Sequence, residues 1–155
     1  MDRRLASVHR LAYRLLGDEF EAEDVAQEAF LKLWSHVSDW QPGRARLSTW
    51  LHRVASNACY DRLRKRREAL PGEALDAEDD RPGAHAQLER RQRWDALQTA
   101  MMGLAPKERT ALSLCYDEAL PQREAAKVME LTEKAYESLL VRARRKLKER
   151  VSDHV

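Results

Sequence analysis

The chain has 155 residues, 43% of them hydrophobic and 35% charged, with only five Gly and five Pro. That length allows one ordinary domain or two small ones, and so few turn formers exclude a many-stranded sandwich or barrel in favour of helices with strongly charged faces. The net charge of +2 hides a division: residues 1–67 are net +4, residues 68–88 net −5 and residues 89–155 net +3, two mildly basic lobes around an acidic segment.

In chain order, the apolar spacing predicts a first helix over 3–16. Leu5, Val8, Leu11, Ala12, Leu15 and Leu16 lie on its core face and Gly17 stops it. Asp18, Glu19, Glu21, Glu23 and Asp24 open the next helix, where carboxylates suit the positive end of the helix dipole. Its core face runs Ala22, Val25, Ala26, Ala29, Phe30, Leu33, Trp34 and Val37. The other face presents Asp24, Gln27, Glu28 and Leu31, either a solvated surface or a docking surface for a basic helical partner. Pro42-Gly43 makes a turn, flanked by Trp40, and Ser48 can cap the third helix.

The stretch LSTWLHRVASNACYDRLRKRR, residues 47–67, predicts that third helix. Leu47, Trp50, Leu51, Val54, Ala55, Ala58 and Leu63 form its apolar face. His52, Arg53, Ser56, Asn57, Tyr60, Asp61 and Arg64 lie opposite, and Arg62, Arg64, Lys65, Arg66 and Arg67 make its end cationic. This pattern is either a nucleic-acid reader or a core helix with a solvated tail. Residues 68–88, with two Pro-Gly steps and a run of Asp and Glu, predict a flexible linker.

Residues 89–103 return to helix, with Trp94, Leu97, Met101 and Leu104 inward. Pro106 starts another through Tyr116, and 120–129 make a short one. Glu130-Leu131-Thr132 is a tight turn with Thr132 as cap, before a last helix over 133–150. Tyr136, Leu140, Ala143 and Leu147 form its buried stripe; Lys134, Glu137, Ser138, Val141, Arg142 and Arg145 lie outside it. Two short helices about a three-residue turn make a helix-turn-helix. The expected fold is all-α: a helical bundle (1–67), an acidic linker (68–88) and a helix-turn-helix domain (89–155).

Cys59 and Cys115 read as small buried hydrophobes, and the five His stand at no ligand spacing, so no metal or other cofactor is expected. No nucleophile–base pair or glycine-rich phosphate loop is visible, which excludes an enzyme. No apolar run approaches 18 residues and MDRRLASVHR lacks a signal-peptide core, so a soluble cytoplasmic protein with no membrane insertion is expected.

Three blocks in register carry a family resemblance. Asp24-Val25-Ala26-Gln27-Glu28-Ala29-Phe30-Leu31-Lys32-Leu33-Trp34 comes first. Trp50 to Asn57 with Asp61 to Arg64 comes second. Leu104 to Arg109, with Glu124-Ala125-Ala126 and Arg142 to Leu147, comes third. Together they resemble the bacterial RNA polymerase sigma factors of the extracytoplasmic-function group. The resemblance implies that Asp24, Gln27, Glu28 and Leu31 dock on the clamp helices of core polymerase, and that the C-terminal lobe meets the flap. Asn57, Tyr60, Asp61, Arg62, Arg64, Lys65, Arg66 and Arg67 would contact and open the proximal promoter element. Trp40, Trp50 and Tyr60 are stacking candidates, though periodicity gives Trp50 a core role. Lys134, Glu137, Ser138, Val141, Arg142 and Arg145 would read the distal element. The linker would thread the RNA-exit region, as a mimic of nucleic-acid charge or as a solubilising tether. An anti-sigma factor is the expected inhibitory partner.

Two departures stand out. Lys134-Ala135-Tyr136-Glu137-Ser138 replaces the family's Gly-Thr-Val-Lys/Arg-Ser, putting a carboxylate where a cation is usual; Glu accepts from cytosine N4 but repels phosphate. The family also usually has another helix before 3–16, so the start reads as truncated or misassigned. Both features suit an alternative, a sigma-like decoy that sequesters an anti-sigma factor without binding promoters.

Overall fold

The computed structural model describes residues 2–36, 47–69 and 85–153. Every regular element among them is helical: α1 (Asp2–Leu16), α2 (Glu19–His36), α3 (Leu47–Ala69), α4 (His85–Met102), α5 (Pro106–Leu112), α6 (Gln122–Val128) and α7 (Glu133–Asp153). The all-α expectation is borne out. Trp40, the Pro42-Gly43 turn, Val37 and residues 70–84 of the acidic segment lie outside the described residues. The two ends of the 68–88 segment differ from expectation, because α3 continues to Ala69 and α4 already begins at His85.

Local chemistry sets most boundaries. Gly17 takes φ +71° and donates its amide to the Tyr13 carbonyl at 2.8 Å, ending α1 in the left-handed conformation that glycine adopts without strain. Asp18 Oδ1 accepts the Glu21 amide at 3.0 Å and caps α2. Thr132 Oγ1 accepts the Ala135 amide at 3.1 Å and caps α7 as expected. Ser48 does not cap α3, which already starts at Leu47.

The helix expected through Tyr116 changes pitch. After α5 the chain makes a π-helical turn, Ser113–Asp117. The Glu118 amide then bonds the Ser113 carbonyl at 3.0 Å, and Leu120 bonds Leu114 at 3.0 Å. Ala119, at φ +49°, is a non-glycine residue in left-handed backbone. This inserted width places Asp117 and Glu118 against α1 rather than in solvent.

Helices α1, α2 and α3 pack on one another, and α5 and α6 each pack on α7. The two groups also meet: α1 touches α4, α5 and the π-helical turn, and α3 touches α6. One apolar cluster runs through both, from Val8, Leu11, Leu15, Val25 and Leu51 to Leu104, Leu112, Leu114, Tyr136 and Leu140. The predicted stripes of α1 and α7 are buried, with Leu147 half-buried. Three residues assigned to the core face are not: Leu5, near the start of α1, is exposed, Trp34 is 77% exposed, and Trp94 of α4 is 39% exposed. Trp34 lies in the last turn of α2, past Ala29, the last residue that the helix buries.

Tyr136 is buried and donates its hydroxyl to the Ala111 carbonyl at 2.9 Å, joining α7 to α5. Tyr136→Phe should cost about 1 kcal/mol, one net hydrogen bond, and Tyr136→Ala about 3–5 kcal/mol, as for other buried aromatics. Urea unfolding of both variants measures this; equal losses would refute the dominance of ring packing.

Candidate nucleic-acid interface

On α2, Asp24, Gln27 and Leu31 are exposed and Glu28 is half-buried. Phe20, Asp24, Gln27, Leu31 and Trp34 follow a four-three-four-three spacing, so they form one stripe of the helix. Its apolar members are strongly exposed: Phe20 76%, Leu31 71% and Trp34 77%. Carboxylate and amide thus sit between large exposed apolar groups. Periodicity identified Leu31 but missed Phe20, and it assigned Trp34 inward.

The five cations that end α3 split into two sets. Arg62 faces α2, 3.9 Å from Glu21 and 3.8 Å from Glu28. Arg66 pairs with Glu21 and donates to the Leu16 carbonyl at 3.0 Å. These two, one helical turn apart, tie α3 to α1 and α2. Arg64, Lys65 and Arg67 are the other set: Arg64 and Lys65 are exposed, Arg67 is exposed beyond them, and Arg64 lies 3.1 Å from Asp61. Asn57 and Asp61 are exposed beside them. The sequence signal for the split was the seven-residue spacing of Glu21 and Glu28, which sets two carboxylates on one side of α2.

The first half of α3 corrects the expectation of an open polar face. His52, Ser56 and Thr49 are buried, and Arg53 and Tyr60 are half-buried. The C-terminal helices cover them. Thr49 donates to Glu124 at 3.1 Å, Arg53 donates to the Lys127 carbonyl at 2.7 Å, and the Tyr60 and Thr110 hydroxyls are 2.6 Å apart. Burial raises the Tyr60 pKa above its ordinary value. Trp50 is half-buried, its ring 5.9 Å from that of His36. Cys59 is fully buried and its thiol is pushed up to about 12, an inert packing group; Cys115 is half-buried.

On α7, Lys134, Glu137, Ser138, Val141, Arg142 and Arg145 are all exposed and fall on one side, opposite Tyr136, Leu140 and Ala143. Arg144 is drawn off elsewhere: its Nε donates to the Tyr116 hydroxyl at 2.6 Å and its guanidinium lies over that ring at 5.4 Å. The face that remains carries three cations, one carboxylate, a hydroxyl and an aliphatic group, at the spacing of a groove-reading helix.

Comparison with known proteins matches this layout. The family model of Sigma-70 region 2 covers residues 1–69, and that of Sigma-70, region 4 covers residues 94–147. The chain is 35% identical over 154 residues to the ECF RNA polymerase sigma factor SigE of Mycolicibacterium smegmatis, covering 95% of this chain and 58% of that protein. It is 33% identical over 142 residues to the ECF RNA polymerase sigma factor SigM of Mycobacterium tuberculosis, covering 90% of this chain and 69% of the relative. Among solved structures, CnrH in complex with the cytosolic domain of CnrY superposes with a TM-score of 0.72 at 26% identity, over 99% of this chain and 86% of CnrH.

The covered half of α3 carries a pH dependence. The His52 ring lies 2.6 Å from the Ser48 carbonyl, 2.8 Å from Ser7 Oγ and 4.0 Å from Glu118. Burial pushes its pKa below the ordinary 6.5, only partly opposed by Ser48 and Glu118. The unfolded chain therefore takes up this proton at higher pH than the folded one. Stability from this site is full above the ordinary histidine range and is lost as pH falls through it. The unfolding midpoint should drop between about pH 7.5 and 5.5, and His52→Asn should flatten that drop. Thermal melts across the range measure it; an unchanged slope in the variant would place the dependence elsewhere.

Proposed function

This chain belongs to the extracytoplasmic-function sigma factors of the sigma-70 family, and we propose that it binds core RNA polymerase and directs promoter recognition and DNA opening. The carrying observation is the separation of three surfaces within the two matched regions: an apolar-acidic stripe on α2, outward cations at the end of α3, and an exposed mixed face on α7.

Each surface has chemistry suited to one task. The α2 stripe offers Phe20, Leu31 and Trp34 as apolar anchors around Asp24, Gln27 and Glu28, fitting the clamp helices of core polymerase. Arg64, Lys65 and Arg67 neutralise phosphates and release counterions, which makes affinity salt-dependent. Asn57 and Asp61 beside them can hydrogen-bond the edges of extruded bases. Opening costs a few kcal/mol per unstacked base, offset by contacts to the separated strand. The chain makes and breaks no bond in this scheme; it shifts a binding equilibrium, so it acts as an initiation factor and not as an enzyme. On α7, Arg142 and Arg145 hold phosphates while Lys134, Glu137 and Ser138 meet base edges, with Glu137 suited to cytosine N4. A partnership with polymerase and promoter is consistent with a cytoplasmic protein. No described helix is long and apolar enough to cross a membrane. The likeness to CnrH, solved with the cytosolic domain of CnrY, supports a protein partner of the anti-sigma class.

Purified chain with core polymerase should start run-off transcription from specific fragments of a genomic library. Binding to core without initiation on any fragment selects the decoy reading instead. Arg64→Ala with Lys65→Ala should lower the salt slope of promoter binding by about two while leaving core binding intact. Equal loss of both activities would remove those cations from the DNA interface. Gln27→Ala should weaken competition for core against a second sigma factor, and undiminished competition would sink the docking face.

A further inference from the structure

The exposed stripe of α2 is symmetric about its middle. Phe20 stands seven residues before Gln27 and Trp34 seven residues after it, so an exposed aromatic ring lies on either side of a central amide. Charge divides the same helix into unlike halves. Its first half carries Glu23 and Asp24 outward and its last turns carry Lys32 and His36, all four exposed. A second α2 laid parallel on this stripe would set acid on acid. Laid antiparallel, it sets the acidic half against the basic half, and Phe20 against Trp34 at both ends.

The two edges of the stripe differ, and a two-fold axis brings each edge onto the same edge of the other copy. Asp24, Glu28 and Lys32, four apart, form the edge toward α3. Glu28 is held there by Arg62 at 3.8 Å and lies 3.6 Å from Lys32. Asp24 is left to meet the other copy's Lys32 across the axis. Glu23 and Gln27 form the edge toward α1, where an open groove of about 580 Å³ is floored by Leu5, Ala6 and Ala26. Leu5 is 44% exposed although its spacing belongs to the core stripe of α1. Trp34, eleven residues on from Glu23, lies on that same edge. The antiparallel register carries the other copy's Trp34 toward the Glu23 end of the groove. Its ring can cover Leu5 there while its indole N–H donates to the Glu23 carboxylate. Gln27 meets its own counterpart at the axis, where an amide both donates and accepts.

We propose that two copies of this chain pair antiparallel through α2 about Gln27, each sending Trp34 to the other's α1–α2 groove and Asp24 to the other's Lys32, so that the stripe is covered when polymerase is absent. The competition with polymerase rests on the docking reading of α2; the pairing itself does not.

Sedimentation equilibrium of the full chain across micromolar concentrations tests the pairing, with circular dichroism to check helix content. The mean mass should climb from that of one chain toward that of two. Trp34→Ala should weaken association about tenfold, as loss of an interface anchor. Asp24→Lys alone and Lys32→Asp alone should each weaken it about tenfold, because each puts like charges together twice in a two-fold interface. An equimolar mixture of those two variants should associate as strongly as the unchanged chain, since every lysine then meets an aspartate. A chain that stays monomeric at the highest concentration overturns the proposal and leaves the stripe to a different protein. Association that survives both single changes, or that their mixture does not restore, overturns it as well. If a single variant loses its helices, Asp24→Lys combined with Lys32→Asp in one chain decides: it should pair with itself, and failure to do so overturns the proposal. Core polymerase added to the dimer should split it. A dimer that polymerase leaves intact would uphold the pairing and remove only the docking reading of α2.

Discussion

Two buried guanidiniums cross the junction in opposite directions, and the rest of the arrangement depends on them. Arg14 reaches from α1 to Asp117 and Gln98. Arg109 reaches back from α5 and donates to the Leu15 carbonyl at 2.7 Å and the Leu104 carbonyl at 2.6 Å. A buried cation is costly unless partners compensate it, and removing one partner strands the charge. Arg109 is held by carbonyls rather than by a carboxylate; they lie at the end of α1 and just past α4, the negative ends of helix dipoles. Burial lowers its pKa to about 10, which leaves it charged at neutral pH. Each arginine therefore ties its own helix to the end of another, and the two together fix α1 against the α4–α5 corner. Gln98 adds to this by donating to the Tyr13 carbonyl at 3.0 Å.

Charge is used in the same way inside the N-terminal lobe. Glu21 and Glu28 of α2 neutralise Arg62 and Arg66 of α3, so the cationic run is positioned by its own lobe. The remainder faces solvent through Arg64, Lys65 and Arg67, with Arg64 paired to Asp61 of its own helix. Because Glu28 also belongs to the proposed α2 docking set, that surface shares an ion pair with Arg62 of the cationic run. That pair is part-exposed and weak on its own, and its value lies in orienting the helix rather than in stability.

Elements whose environment is set within one lobe were legible in the sequence. The stripes of α1, α2 and α7, the Gly17 stop and the Thr132 cap follow from periodicity and local hydrogen bonding. The hidden features depend on the meeting of the lobes. His52, Ser56 and Thr49 carry polar side chains that periodicity does not place in a core, and the packing of α6 and its neighbours buries them. The π-helical turn has no composition cue in SLCYD. Sequence reasoning singled out none of Asp117, Glu118, Arg10 and Arg14, because neither half of a pair 103 to 108 positions apart announces the other. Trp34 failed for the opposite reason: it keeps the helical phase of core residues but extends beyond them.

The asymmetry between covered and open surfaces has a consequence for the order of events. On the proposed reading, α2 and α7 present their faces already in the closed chain, whereas the polar half of α3 does not. Contacts that need only those two faces can therefore form first. The covered half of α3 bonds α5 and α6 through Tyr60, Thr49 and Arg53 and leaves Ser56 Oγ and Arg53 Nε without hydrogen-bond partners, so its packing against the C-terminal lobe is polar and specific rather than apolar, which is why its residues carry no core signature in the sequence.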